Sequence, residues 1–346
     1  MKKYTLVLIY GLFFINLSAN SHHSHIEYDD NQPIEIIGRV IAANWKNPHV
    51  RLKLELTSLD GNQSVWDLEF TDLISLNRRG INSSLVNIGD AIKVYGTPSK
   101  RRENTMYASN VLLPNGVEVS VRGRTQPIWS NNNEGFDRIS SEDILNGIST
   151  ISEKGLFRVW LPQAWTERQF SDLPLTDNAI SEKIAYSPST DPTMLCLTPG
   201  MPAAMRTTTV HPFSLEEDGD IIILKSEMFD IERVIYMNPN NSINDASISS
   251  PLGYSTGSWE GDSLVINTSN IDWPYFDHIG TIRQSHMVNV LEKFMINEDS
   301  NYLTYFITIN DPQTFTRPVT AEIPMIWRPD MSVLPYNCSL NDNFIH

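Results

Sequence analysis

The histidines of this chain are unevenly placed: four of the eight, His22, His23, His25 and His49, fall within the first 49 residues. The first three follow a secretory-type leader at residues 1–21. Lys2 and Lys3 give it a positive start, Leu6 to Leu17 an apolar run, and Ala19 and Ser21 small residues before a cut. Cleavage after Ser21 makes His22-His23-Ser24-His25 the new amino terminus. A free α-amine beside imidazoles is a compact set of nitrogen ligands, of the kind that copper, nickel and zinc favour. The plain alternative is a polar tip left by export.

His49 follows Asn47-Pro48, which calls for an extended or turned backbone at the entrance to a strand. Its imidazole then stands near one end of whatever sheet that strand joins. The segment His22–His25 precedes the first strand by about ten residues, enough at ~3.3 Å per residue to fold back to the same end. Two or three imidazoles with an α-amine suit Cu(II), with Zn(II) next in affinity. Glu27, Asp29 and Asp30 either complete a zinc site or accept hydrogen bonds from the ligating rings. For His49 alone, the competing reading is an imidazole bonded to backbone.

A second group of reactive types lies in the C-terminal half. Alternation along Gln284–Phe294 puts His286, Val288, Val290, Glu292 and Phe294 on one face. His286 and Glu292 are then about 20 Å apart along the strand and are no pair by themselves. Arg233 alternates with Ile231, Ile235 and Met237, with Tyr236 on the other face. A buried Arg233 needs a carboxylate, and Glu292 is available. His286, Tyr236, Glu292 and Arg233 are therefore the candidate catalytic set, and Arg233 with Glu292 reads equally as a structural pair. Trp273, Phe276 and His278 belong to an aromatic-rich loop that forms either a lid over an apolar ligand or a plug. Trp259-Glu260-Gly261-Asp262 reads as a hairpin tip, and Asp311-Pro312 with Thr314 as a side-chain-stabilised turn. No Gly-x-Ser-x-Gly elbow, phosphate loop or dinucleotide fingerprint is present.

The elements that must position these groups read as strands. Ile34–Ala42, Val50–Thr57, Val65–Phe70, Ala91–Gly96 and Met106–Leu113 form five, with Asp60-Gly61 and Gly89-Asp90 as turns. A short helix over Leu73–Arg79, stopped by Gly80, follows the third, which suggests an OB-like barrel for residues 22–122. Residues 123–150 are polar and turn-rich, a linker. Residues 151–346 begin near Gly155–Trp160 and continue as seven more predicted strands, Ile221–Glu227, Glu232–Met237, Gly253–Trp259, Ser263–Thr268, Gln284–Met295, Tyr302–Asn310 and Ala321–Trp327. The expected fold is all-β: a small OB-like barrel followed by a larger antiparallel lipocalin-like β-barrel, with residues 170–205 covering one mouth.

With 346 residues and 40% hydrophobic content, the chain can bury two cores. The leader's apolar run is shorter than a bilayer span needs, and no later stretch reaches that length, so no membrane insertion is expected after cleavage. The formal charge of −15 becomes two units more negative on loss of Lys2 and Lys3, which disfavours nucleic acid and anionic lipid as partners. Cys196 and Cys338 are the two cysteines, and in a periplasmic or secreted setting they are expected to form one bridge, two buried thiols being the alternative.

Both halves resemble an uncharacterised bacterial family of exported proteins. Its members begin Ala-His-His-Ser and carry Trp-x-Asn-Pro-His-Val and Trp-Glu-Gly-Asp segments. Here these are Ser21-His22-His23-Ser24, Trp45-Lys46-Asn47-Pro48-His49-Val50 and Trp259-Glu260-Gly261-Asp262. Arg78-Arg79-Gly80, Gly89-Asp90, Arg233–Met237, Glu292-Lys293-Phe294 and Asp311-Pro312 also match, so that the resemblance spans nearly all of residues 22–340. The chain departs from the family at Lys293, Asn289 and Asn238. The resemblance implies architecture and export and assigns no activity.

The leading expectation is an exported binding protein, with copper or zinc at His22, His23, His25 and His49 and an apolar small molecule in the second barrel. One alternative is a cofactor-free isomerase, cyclase or hydrolase acting on a lipophilic molecule in that barrel. The other is a structural adaptor. Converging polar groups in the barrel favour catalysis, a dry apolar lumen favours binding, and a lumen filled by side chains favours the adaptor.

Overall fold

A computed structural model describes residues 28, 31–58, 60–122, 125–129, 133–134, 155–163, 170, 172–187, 190–206, 211–238, 249–297 and 301–340. The leader and His22, His23 and His25 lie outside the described residues, as do Glu27, Asp29 and Asp30.

In the first domain, β1 (Ile34–Asn44), β2 (Arg51–Thr57) and β3 (Gln63–Glu69) form an antiparallel meander. The short helix α1 (Leu73–Arg78) precedes β4 (Ala91–Pro98) and β5 (Thr105–Leu112). Parallel pairing of β3 with β5 closes these five strands into the expected OB-type barrel. Alternation drives the closure: Ile36 and Val40 of β1 and Leu52 and Leu54 of β2 are buried, and join Val94, Met106 and Val111 in one core. Gly96 of β4 lies so close to the Tyr107 carbonyl that a Cβ would clash, which explains glycine there. Helix α1 starts where the Asp72 carboxylate accepts from the Ser75 amide at 2.8 Å, and Gly80, at φ +76°, ends it.

Part of the expected linker is tied to the edge of this domain's sheet. The buried Glu118 of β6 (Glu118–Ser120) accepts from the amides of Ile128 and Trp129 at 2.7 and 2.8 Å, and β7 (Asn133–Glu134) pairs with β6. The remainder of the linker lies outside the described residues.

The second domain is a closed nine-stranded barrel. Its strands are β8 (Val159–Pro162), β9 (Phe213–Asp218), β10 (Ile221–Ser226), β11 (Ile231–Tyr236), β12 (Tyr254–Glu260), β13 (Ser263–Ser269), β14 (Asn289–Ile296), β15 (Tyr302–Asn310) and β16 (Val319–Trp327). All neighbours are antiparallel except β11 and β12, which run parallel through Ile235–Ser255 and Tyr236–Thr256. The connection from Met237 to Gly253 is long enough for the crossover that a parallel pair needs. Leu303, Tyr305, Ile307 and Ile309 of β15 face Ala321, Ile323 and Met325 of β16 within one core. Among the described residues no helix is long and apolar enough to cross a membrane.

Two details differ from the sequence reading. The strand expected from Gln284 begins only at Asn289, because the Asp311 carboxylate holds both the Ser285 amide and hydroxyl at 2.7 Å and turns the chain. Within residues 170–205 a helix, α2 (Asp177–Ile184), starts at a Thr176 cap. Around it, Phe170, Met201, Ala204 and Met205 enter the barrel core, so this stretch does cover one end. The expected turns are present: Gly261, at φ +61°, turns β12 into β13, and Asp311 accepts from the Gln313 amide and the Thr314 hydroxyl.

Candidate functional site at the rim of the first barrel

His49 stands just before β2, where the β1–β2 connection meets the end of β3. Its Nδ1 lies 2.9 Å from the Phe70 carbonyl and 3.7 Å from Glu69. In the neutral ring, an Nδ1–H donating to that carbonyl leaves the lone pair on Nε2, the arrangement that orients a metal-ligating imidazole. About a quarter of the side chain is exposed (27%), and among the described residues nothing bonds Nε2.

The surroundings form a polar rim. Glu69 is buried, and its other oxygen accepts from the Tyr28 hydroxyl at 2.8 Å, with Arg102 at 3.4 Å. Burial works against ionisation of Glu69, but the charges of His49, Arg51 and Arg102 and the Tyr28 hydroxyl hold its carboxyl below the usual range. Arg51 itself is paired with Asp67. The Tyr107 ring stands 5.4 Å from Tyr28 and 6.3 Å from His49, with Arg122 4.6 Å over its face. Burial pushes its hydroxyl up to about 12.

The second domain contributes Asp191, whose carboxylate accepts from the Thr193 amide and hydroxyl at 2.8 and 2.6 Å. Burial raises its carboxyl to about 7 against those bonds and against the charge of His49, while Glu69 adds to the rise. Asp191 was not singled out in the sequence. An Asp-Pro-Thr turn that fixes its own carboxylate was the available signal.

Beside this rim the domains are joined by a buried ion cluster. His211, 4% exposed, lies 3.5 Å from Asp72 through Nε2 and 3.1 Å from Glu227 through Nδ1. Glu227 also receives both guanidinium nitrogens of Arg78 and the Leu334 amide. Burial disfavours the His211 cation, but Asp72 and Glu227 outweigh it and raise the ring from about 6.5 to about 9. This contribution is present in full below pH 6.5 and is lost as pH rises through about 9. Urea unfolding should therefore show a loss on the order of 3 kcal/mol between pH 6.5 and 9.5, and His211→Gln should remove most of that dependence. Equal pH profiles for the two forms would contradict the assignment.

The second barrel sorts its predicted residues. Arg233 and Glu292 meet: Nη1 donates to Oε1 at 2.9 Å, and Nη2 donates to Oε2 and to Thr268. Arg233 Nε donates to Ser255 at 3.0 Å and the Tyr305 hydroxyl to Glu292 at 2.8 Å. Tyr236 does not join them; it stacks on Tyr254 at 5.1 Å. His286 is exposed on the turn held by Asp311, so the predicted catalytic set does not converge. Phe276 is fully buried and packs on Phe170 at 5.7 Å and Phe315 at 4.9 Å. Trp273 and His278 flank it, each half-buried. Cys196 and Cys338 form the expected disulfide. Among the described residues no three His, Cys, Asp or Glu side chains converge as a metal requires.

Residues 11–107 match the model of DUF6152, a family of unknown function. The DUF6152 match thus takes in the Trp45–Val50 segment and all of the first-domain rim up to Tyr107. It agrees with the resemblance to an uncharacterised family in that domain. Among solved structures, the chain is similar to a secretary abundant heat soluble (SAHS) protein from Ramazzottius varieornatus. The identity is 9% and the TM-score 0.25, over 51% of this chain and 98% of that one. No curated protein matches the sequence.

Proposed function

We propose that this is an exported metal-binding protein. His49 is the ligand already in place, and His22, His23 and His25, with the α-amine freed by cleavage, complete a Cu(II) or Zn(II) site. The orientation of His49 carries this reading: the Phe70 carbonyl fixes one ring nitrogen and leaves Nε2 open at the rim. A second support is the anchoring of Tyr28. Its hydroxyl bonds to Glu69 and its backbone bridges to Ser99, which holds residue 28 beside the rim. Tyr28 and His49 flank the same Tyr107 ring. The disulfide supports an oxidising compartment.

A closed lipocalin-like barrel suits small-molecule binding in general. Here the described interior carries Trp160, Phe213, Phe294 and Tyr305 besides the Arg233–Glu292 pair, all at or below 1% exposure. That filling supports a scaffold role for the second barrel more than catalysis, since both charged groups are engaged with each other.

Copper titration of three forms tests the proposal: the chain beginning at His22, the same chain extended by one residue, and His49→Ala. The extension should weaken Cu(II) binding strongly by displacing the α-amine, and His49→Ala should weaken it partly. Affinity should also fall steeply from about pH 7 to 5 as the ligands take up protons. Equal affinity in all three forms would reduce the histidines to a polar terminus.

A further inference from the structure

We propose that the groove between α1 and the C-terminal strap of residues 332–338 binds an amphipathic carboxylate. Its apolar body would lie on Trp45, Leu73 and Leu334, with the carboxylate at Lys46. The groove is open to solvent, with a volume of ≈ 530 Å³, and lies where the two domains meet. Trp45, Leu73, Ile74 and Leu334 give its lining an apolar part beside the polar side chains. Leu334 stands 44% exposed on the outer wall, facing the α1 side chains across the groove.

The outer wall is fixed before any ligand arrives. The Leu334 amide donates to Glu227 at 3.1 Å, and the Tyr336 and Asn337 amides donate to Asp230 at 2.7 and 3.1 Å. The Asn47 carboxamide donates to the Tyr336 carbonyl and accepts from the Leu73 amide, tying strap, β1–β2 connection and α1 together. The Ser339 amide donates back to the Asn47 carbonyl at 3.2 Å, and Cys338 is bridged to Cys196. A wall held at so many points costs little to order on binding.

The polar groups beside this apolar part select the head group. Arg78 is committed to Glu227. Lys46 is exposed and, among the described residues, meets no carboxylate. The carboxamides of Asn77 and Asn337 also line the groove without side-chain hydrogen bonds among the described residues. One available cation with two amide donors beside an apolar surface fits a carboxylate carrying a flat or extended apolar body. The site contains none of the four histidines and stands apart from the metal proposal.

Titration with 2-naphthoate tests it, because the naphthyl group accepts energy from tryptophan and Trp45 lines the groove. Saturable quenching is expected, and Trp45→Phe should remove most of it. Lys46→Gln should weaken binding roughly threefold to fivefold, to the level of neutral 2-naphthylmethanol. Leu334→Asp should weaken it by about tenfold or more. Both side chains are exposed, so thermal unfolding midpoints should stay near wild type. Absence of saturable quenching, wild-type affinity in either variant, or undiminished quenching in Trp45→Phe would overturn the proposal.

Discussion

Glu292→Ala should destabilise the second barrel by about 3–5 kcal/mol, the cost of leaving a buried charge without its partner. Arg233 is 1% exposed and Glu292 0%, and the pair sits inside β11 and β14 with Tyr305, Ser255 and Thr268 as the other partners. Removing the carboxylate leaves the guanidinium two hydroxyls and no counter-charge. The double substitution Arg233→Met with Glu292→Leu should recover most of the loss, because it removes both desolvation penalties together. Urea unfolding of the single and double variants reads the difference. A double variant as unstable as Glu292→Ala would show that the pair does more than satisfy itself. It would also revive a functional role for the barrel interior.

Loss of the Cys196–Cys338 bridge should cost about 5 kcal/mol in the chain-entropy account, since the bond closes a loop of 142 residues. The structure adds a local consequence. Cys338 ends the strap that Asn47 holds, and an isolated bridge pairs Asn47 with Cys338 two residues before His49. Cys196→Ser with Cys338→Ser should therefore unfold at clearly lower urea and expose the strap to proteolysis. A change below about 1 kcal/mol would mean that the domain contacts alone hold the strap.

The two barrels were legible in the sequence because their strands alternate and their turns carry Gly or Asp at positive φ, as at Gly61, Gly219 and Gly261. His286 was misplaced because a carboxylate 26 residues away, Asp311, captures Ser285 and ends the strand pattern early. The parallel β11–β12 pairing was equally hidden, since alternation reports which face a residue takes and not the direction of its neighbour. At the rim, His49 could be read from Asn47-Pro48 before a strand. Glu69 and Tyr28 are common residue types on β3 and just ahead of β1, and only barrel closure brings them to His49. Asp191 comes from the other domain, and no local pattern records that the charges of His49 and Glu69 act on it. The Arg233–Glu292 pair was readable because a buried arginine needs an acid.

The measurement that bears most directly on the metal proposal is pulsed electron paramagnetic resonance of the Cu(II)-loaded chain that begins at His22. The account predicts imidazole nitrogen couplings from at least two rings, one of which disappears in His49→Ala. A spectrum unchanged by that substitution would contradict the place of His49 at the metal.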